Sequence, residues 1–187
     1  MSNSLAFVFP GQGSQAIGMS SALAAQFPLV QNIYKEASDA LGIDLWAMTQ
    51  EGPIEELSQT QNTQPALLTA GVAAYRCWLE AGGKAPSLMA GHSLGEYTAL
   101  CCAGALNFAD AVALVRDRGR YMQEAVPAGE GGMAAIIGLE DDQVRSICSE
   151  VSTPDAIVQA VNFNAPGQVV IAGSTAGIAT AMEALKA

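Results

Sequence analysis

A serine between two glycines is the residue of this chain best suited to covalent chemistry. Ser93 is the centre of the G-x-S-x-G segment at 91–95, which follows an apolar run at 87–90 and precedes an apolar stretch at 96–103. A strand, a sharp turn and a helix in this order expose the serine hydroxyl, and the glycines remove clashing β-carbons. The alternative, in a chain with 19 glycines, is that small residues flank this serine by chance. The flanking elements favour a nucleophilic serine and acyl transfer.

Arg118 is the second candidate for chemistry, because helical spacing places it on an apolar face. A predicted helix over 111–122 has five apolar side chains on that face: Ala111, Leu114, Val115, Tyr121 and Met122. Arg116 and Arg120 instead share the polar side with Asp117. An unpaired buried charge is costly, so Arg118 needs a partner, either an acidic side chain or a ligand. The helical spacing does not decide between these two partners. If Arg118 binds a ligand beside Ser93, it would select acyl groups with a free carboxylate.

The elements around these residues predict an α/β fold with a mostly parallel sheet. Residues 5–9 form a short strand, and a glycine-rich turn follows at 11–15. Pro65 suits the first turn of a helix that leads towards the strand before Ser93. Ligands bind at the carboxyl ends of parallel strands, where both Ser93 and the glycine-rich turn lie. The turn lacks the glycine spacing of phosphate and dinucleotide sites, so nucleotide binding is not predicted.

A second, smaller lobe is predicted after the glycine-rich linker at 128–132. It has a strand, a helix, two strands and a helix, at 133–137, 141–151, 157–161, 168–172 and 174–187, with a turn at 164–167 between the last two strands. This order is one strand short of the split β-α-β unit. We therefore predict domains at 1–127 and 128–187, with the second incomplete. The alternative is a smaller variant whose sheet edge stays open.

Composition and charge narrow the class of protein. Half of the 187 residues are hydrophobic, and a formal net charge of −10 argues against a nucleic-acid partner. Cys77, Cys101, Cys102 and Cys148 have neither metal-site nor disulfide spacing, so we expect no metal and a reducing compartment. The run at 5–9 is too short for a signal peptide or a membrane span, so we expect no membrane contact and a cytoplasmic location.

Five sequence blocks carry a family resemblance. They are FPGQGSQ at 9–15, QPA at 64–66, GHSLGEY at 91–97, RG and MQEAVP within 118–127, and NFNAPGQ at 162–168. In this order they resemble the malonyl-CoA:acyl carrier protein transacylase family over essentially the whole chain. The resemblance implies a hydrolase-like large lobe with a mostly parallel sheet, and a ferredoxin-like small lobe that is incomplete here.

The resemblance also implies an activity. A malonyl group would pass from coenzyme A to the phosphopantetheine thiol of acyl carrier protein, in fatty acid biosynthesis, through a malonyl-serine intermediate on Ser93. The backbone N–H groups of Gln12 and Leu94 would form the oxyanion hole, and Arg118 would bind the malonyl carboxylate. Malonyl-CoA and acyl carrier protein are the expected partners, and no cofactor is expected because the thioester is itself the substrate.

Other polar residues receive different predictions. Gln64 is a further candidate for substrate binding, whereas Asn162 and Asn164 are predicted to satisfy backbone groups near a turn. His92 is the only histidine, but neighbours at such a turn point apart, so we do not expect it to be the base. The resemblance places the catalytic histidine and another functional glutamine beyond residue 187, so the chain is expected to be the N-terminal portion of a longer protein.

Two alternatives remain open from the sequence. One is a non-catalytic fragment that binds acyl carrier protein or acyl-CoA, which would bind without turnover. The other is a serine esterase or thioesterase, in which Arg118 would belong to a structural ion pair. A preference for acyl groups that carry a carboxylate would exclude the second alternative.

Overall fold

The computed structural model describes residues 4–127 and 129–186, and these form two compact units of mixed helices and strands. The first unit ends at Gln123 and the second begins at Glu124, slightly before the boundary of the predicted domains 1–127 and 128–187, which stay a prediction. The first contains a parallel pair of strands and the second a small antiparallel sheet, so the α/β class is confirmed. Of the helices in these residues, none is long and apolar enough to cross a membrane.

Helices dominate the first unit. Its elements are β1 (Ala6–Phe9), α1 (Ser21–Ala24), α2 (Leu29–Leu41), α3 (Leu45–Glu51), α4 (Ile54–Leu57), α5 (Thr60–Glu80), β2 (Leu88–Gly91), α6 (Leu94–Cys102) and α7 (Phe108–Glu124). β1 and β2 pair in parallel, with Phe9 opposite Gly91 at their carboxyl ends. The predicted strands and the helix after Ser93 are therefore confirmed close to their predicted bounds.

The core of the first unit lies between α2, α5, α6 and α7. Its largest fully buried apolar side chains include Ile33, Tyr34, Leu68, Leu94, Val112 and Val115. Tyr34 packs edge-on against Trp46, and its hydroxyl shares a 3.0 Å hydrogen bond with Ser20. The amide of Gln50 donates to the carbonyl of Met19 at 2.8 Å. These bonds hold the segment that follows the glycine-rich turn against α2 and α3.

The prediction that Pro65 lies in the first turn of its helix was wrong. α5 already begins at Thr60, and Pro65 lies inside it, where its missing N–H removes one backbone hydrogen bond. The side chains of Asn62 and Thr63 donate to two carbonyl oxygens of α4 at 2.9 and 2.6 Å. These bonds tie the first turn of α5 to α4.

The buried face of α7 also differs from the prediction. Leu114, Tyr121 and Met122 were expected in the core, but they are 48%, 60% and 48% exposed. The buried positions are Phe108, Ala111, Val112, Val115 and Gly119. A β-carbon on Gly119 would lie 2.6 Å from the carbonyl oxygen of Thr60, so this glycine lets α7 approach α5 along that side. Arg118 lies beside the buried stripe and is half-buried.

The second unit is a three-stranded antiparallel sheet with two helices. Its elements are β3 (Gly131–Ile137), α8 (Asp141–Val151), β4 (Val158–Ala165), β5 (Gln168–Ser174) and α9 (Thr175–Ala184). The strand order is β3-β5-β4, and the core consists of Val144, Cys148, Val158, Val169, Ile171 and Ala181. The predicted order of elements is confirmed. The turn predicted at 164–167 is shorter, because β4 continues to Ala165 and Gly167, with φ 73°, completes the reversal.

Two adjacent thiols make the stability of the first unit sensitive to alkaline pH. Burial raises the pKa of Cys101 from 9.0 to about 11. Burial, together with the neighbouring Cys101, raises the pKa of Cys102 to about 12. Both thiols would ionise near pH 9 in the unfolded chain, so the folded state binds more protons between about pH 9 and 12. We expect this stabilisation to be complete below pH 9, to decrease from about pH 9 upwards and to be lost once the pH has risen through 11 to 12.

Urea unfolding in reducing buffer at about pH 8 and about pH 10 measures this effect. Both tryptophans, Trp46 and Trp78, lie in the first unit and report its unfolding by fluorescence. A variant with Cys101→Ala and Cys102→Ala should lose less stability between the two pH values. An equal loss in both proteins would contradict the prediction.

Candidate active site

Ser93 lies in a sharp turn between β2 and α6, with its side chain exposed. Its backbone has φ 53° and ψ −111°, a conformation that residues with a β-carbon rarely adopt. A β-carbon on Gly91 would lie 1.9 Å from the carbonyl carbon of Gly95, and one on Gly95 would lie 2.0 Å from the carbonyl oxygen of Phe9. Only glycine fits at either position. The turn therefore presents the hydroxyl of Ser93 in the way that the motif predicts.

The glycine-rich turn after β1 lies directly against the serine turn. The backbone N–H of His92 donates to the carbonyl of Phe9 at 3.1 Å. A β-carbon on Gly11 would lie 3.1 Å from the carbonyl oxygen of His92, 3.2 Å from its Nδ1 and 3.8 Å from Cβ of Ser93. The imidazole of His92 therefore lies beside Gly11. That it is not the base stays a prediction.

Arg118 reaches the serine from α7. Its Nη2 donates to Oγ of Ser93 at 2.9 Å, and its Nη1 donates to Oε1 of Gln64 at 2.7 Å. Its Cζ lies 5.5 Å from the centre of the Tyr97 ring. Within residues 4–127 and 129–186, no acidic side chain forms an ion pair with Arg118. The guanidinium thus faces the nucleophile with neutral partners, which suits the binding of a carboxylate.

Gln64 links the arginine to the glycine-rich turn. The residue is fully buried, and its Oε1 accepts from Arg118. Its Nε2 donates to Oε1 of Gln12 and to Sδ of Met122, both at 3.3 Å. The structure thereby joins four of the predicted site residues in one chain of hydrogen bonds: Gln12, Gln64, Arg118 and Ser93.

Leu94 and Gln12 carry the N–H groups expected to form an oxyanion hole. Leu94 is buried and is the first residue of α6, so its N–H is one of those at the helix start that have no partner within the helix. In the part of the chain that the structure describes, neither N–H donates to a backbone carbonyl in a turn or loop. Both are available to a ligand oxygen, and their catalytic role stays a prediction.

Sequence reasoning missed two contacts of the site. Tyr97 lies four residues after Ser93 on α6, and Met122 lies four residues after Arg118 on α7. Side chains with this spacing are neighbours on a helix, which is the signal that could have found both. Asn162 and Asn164 lie on β4 in the second unit, and their predicted structural role stays a prediction.

The described residues hold no group of three or more histidine, cysteine, aspartate and glutamate side chains that could bind a metal ion. Cys77, Cys101, Cys102 and Cys148 are free thiols. The polar groups around Ser93 in the described residues are hydroxyl, guanidinium, amide and backbone N–H groups.

Known proteins are similar to this chain in sequence. The acyl transferase domain family matches residues 6–187. The chain belongs to this family. Malonyl CoA-acyl carrier protein transacylase from Salmonella typhimurium is 61% identical over 182 residues, which are 97% of this chain and 59% of that protein. The protein of the same name from Escherichia coli K12 is 60% identical with the same coverage. The resemblance inferred from the five sequence blocks is confirmed.

Solved structures of acyl transferase family members have the same fold. A malonyl CoA-acyl carrier protein transacylase from Coxiella burnetii is 55% identical, with a TM-score of 0.93 over 98% of this chain and 58% of that one. A malonyl-transacylase in complex with a type II PKS acyl-carrier protein is 57% identical, with a TM-score of 0.92 over 98% of this chain and 59% of that one. The chain thus spans less than two thirds of the length of these relatives.

Proposed function

We propose that this acyl transferase domain transfers a malonyl group from coenzyme A to the phosphopantetheine thiol of acyl carrier protein, in fatty acid biosynthesis. The 2.9 Å hydrogen bond from Arg118 to Oγ of Ser93 carries the proposal, because it puts a carboxylate-binding cation beside a serine in a nucleophile turn. Relatives named malonyl CoA-acyl carrier protein transacylase at 61% and 60% identity support it. The malonyl-transacylase solved with an acyl-carrier protein supports the choice of acceptor.

The proposed reaction has two acyl transfers. Oγ of Ser93 loses its proton and bonds to the thioester carbonyl carbon, the carbon–sulfur bond breaks, and the coenzyme A sulfur leaves and takes up a proton. The thiol of acyl carrier protein then loses its proton, its sulfur bonds to the carbonyl carbon of the malonyl-serine ester, the bond from that carbon to Oγ of Ser93 breaks, and Oγ takes up a proton. Coenzyme A is part of the substrate, and we propose no separate cofactor.

Backbone N–H groups would stabilise the charge that develops in each transfer. We assign this role to Gln12 and Leu94, which would donate to the carbonyl oxygen as it becomes negative. Loss of one such donor typically adds about 3 kcal/mol to the barrier. The first turn of α6 contributes in the same sense, because the start of a helix carries partial positive charge.

Arg118 and Gln64 form the proposed substrate-binding pair. Arg118 would bind the malonyl carboxylate, while the buried Gln64 holds Nη1 of the guanidinium at 2.7 Å. An acyl group without an acid would leave the cation without its ligand, which favours malonyl over acetyl. A simple esterase would have Arg118 in a structural ion pair, and the described acids form none with it.

We also propose the finer features of the fold and the location. The strand-turn-helix geometry at Ser93 supports a hydrolase-like large lobe. The order β3-β5-β4, with helices after β3 and β5, supports a ferredoxin-like small lobe. A cytoplasmic location is supported by the four free thiols, since disulfides are favoured outside the cytoplasm.

Intact mass measurement after incubation with malonyl-CoA tests the proposal. We expect the mass of one malonyl group on the wild-type chain and none on Ser93→Ala, because the adduct requires the Oγ nucleophile. Absence of the adduct from both proteins, with malonyl-CoA still bound, would overturn the proposal for this chain in favour of a non-catalytic acyl-CoA-binding domain. An adduct that persists in Ser93→Ala would show that another residue is the nucleophile.

A further inference from the structure

The guanidinium of Arg118 has three neighbours that differ in kind. Two are hydrogen-bond acceptors, Oε1 of Gln64 at 2.7 Å and Oγ of Ser93 at 2.9 Å. The third is the ring of Tyr97, whose centre lies 5.5 Å from Cζ. Two acceptors on two adjacent nitrogens leave the guanidinium free to tilt about the line that joins them. A contact to the aromatic face opposes this tilt, because the ring face is negative and attracts the cation.

Tyr97 is fixed relative to the nucleophile. It lies on α6 one turn after Ser93, and it packs against the core of the first unit. Its neighbours on α6 tie the helix to the rest of that unit, since Gly95 contacts the backbone of Phe9 and Thr98 contacts Gly71 of α5. The ring therefore keeps its place relative to Oγ of Ser93.

An aromatic ring stabilises a cation without neutralising it. No acidic side chain of the described residues pairs with Arg118, so its charge stays available for a ligand carboxylate. A carboxylate in the place of the ring would compete with the acid of the substrate. The combination of Tyr97 with the neutral Gln64 and Ser93 meets both needs of a carboxylate clamp, which are a fixed position and an unpaired charge.

We propose that Tyr97 is a positioning residue that holds Arg118 beside Ser93 and thereby favours acyl groups that carry a carboxylate. The inference rests on the proposed malonyl transfer for its effect on substrates. The contact between Tyr97 and Arg118 itself does not depend on that function.

Tyr97→Leu removes the ring, and Tyr97→Phe keeps it. Initial rates of Ser93 loading, measured by intact mass over a range of malonyl-CoA and acetyl-CoA concentrations, separate binding from chemistry. We expect Tyr97→Leu to raise the half-saturating concentration of malonyl-CoA about two- to fivefold, in line with a surface cation–π contact, and to leave that of acetyl-CoA unchanged. Tyr97→Phe should restore the wild-type value. An equal change for both substrates would overturn the proposal, because it would indicate a general defect.

Tyr121 provides a matched control on α7. Its ring lies 4.9 Å from Cζ of Arg120 and is 60% exposed, so Tyr121→Leu removes an arginine–tyrosine contact that does not involve Arg118. We expect Tyr121→Leu to leave malonyl-CoA and acetyl-CoA loading at wild-type values. The same selective rise in Tyr121→Leu would contradict the assignment to Tyr97.

A second measurement does not depend on acyl transfer. The ring current of Tyr97 should displace the Nε–Hε NMR signal of Arg118, which can be assigned among five arginines by its loss in Arg118→Lys. We expect Tyr97→Leu to shift this signal and Tyr97→Phe to keep it. An unchanged signal in Tyr97→Leu would overturn the proposal even if malonyl loading is observed. If malonyl-CoA does not load the wild-type chain but Tyr97→Leu shifts the Arg118 signal as expected, the result would count against the proposed function alone.

Discussion

Replacing Arg118 with methionine is expected to slow malonyl loading of Ser93 by about 100-fold, while acetyl loading changes by less than about threefold. Methionine keeps an unbranched stem but has no donors, so the malonyl carboxylate would lose the group that faces it. Removal of one partner of a desolvated charge pair costs about 2–5 kcal/mol, and about 2.8 kcal/mol corresponds to 100-fold. Acetyl has no carboxylate and loses no such contact.

The measurement is the rate of acyl-serine formation with each thioester, followed by intact mass. Arg120→Met is the control, because Arg120 lies on the same helix and pairs with Asp117 at 2.9 Å on the exposed side. We expect Arg120→Met to load both substrates at wild-type rates. If Arg118→Met slowed malonyl and acetyl loading alike, Arg118 would not be a determinant of acid selectivity.

Gly95→Ala is expected to lower the free energy of unfolding by at least about 4 kcal/mol and to abolish loading of Ser93. The new β-carbon would lie 2.0 Å from the carbonyl oxygen of Phe9, 2.7 Å from its carbonyl carbon and 2.8 Å from the carbonyl oxygen of Pro10. All three are backbone atoms, so no side-chain rotation relieves the clash. Either β1 or the serine turn must move. The proposed oxyanion groups follow these two elements, since Gln12 lies in the turn after β1 and Leu94 comes directly after Ser93.

Thermal unfolding followed by circular dichroism, together with the loading assay, measures both effects. Gly132→Ala is the control, since its β-carbon would meet only Cδ1 of Ile178, at an ordinary 3.5 Å. We expect this control to change stability by less than about 0.5 kcal/mol and to keep full loading. A Gly95→Ala protein with wild-type stability would show that β1 and the serine turn are less tightly packed than described.

Features with local determinants could be predicted from the sequence. The turn at Ser93 follows from two glycines, a preceding apolar run and a following helix, all within about 15 residues. α8 has the predicted bounds Asp141–Val151, because acidic residues at its start and apolar residues at helical spacing act within one segment. Arg118 could be selected because a cation near an apolar stripe is unusual wherever that stripe lies.

Features that depend on contacts between different elements could not be predicted. The first turn of α5, which precedes Pro65, is tied to α4 by bonds from Asn62 and Thr63. α7 buries a different face from the predicted one because Gly119 packs against the backbone of Thr60. Periodicity gives the faces of a helix, but the neighbour against which it packs decides which face is buried. The contact between Arg118 and Tyr97 needs the positions of two helices at once.

α5 contacts both helices that carry the reactive groups. Gly119 of α7, next to Arg118, packs on the first turn of α5. Thr98 of α6 packs against Gly71 in the middle of α5. One helix therefore sets the gap between the serine oxygen and the cation. If a diacid has to fit that gap, the chain length that the site accepts depends on two glycine contacts between helices. A change in how closely these helices approach could then exchange a three-carbon acid for a longer one while every reactive side chain stays the same.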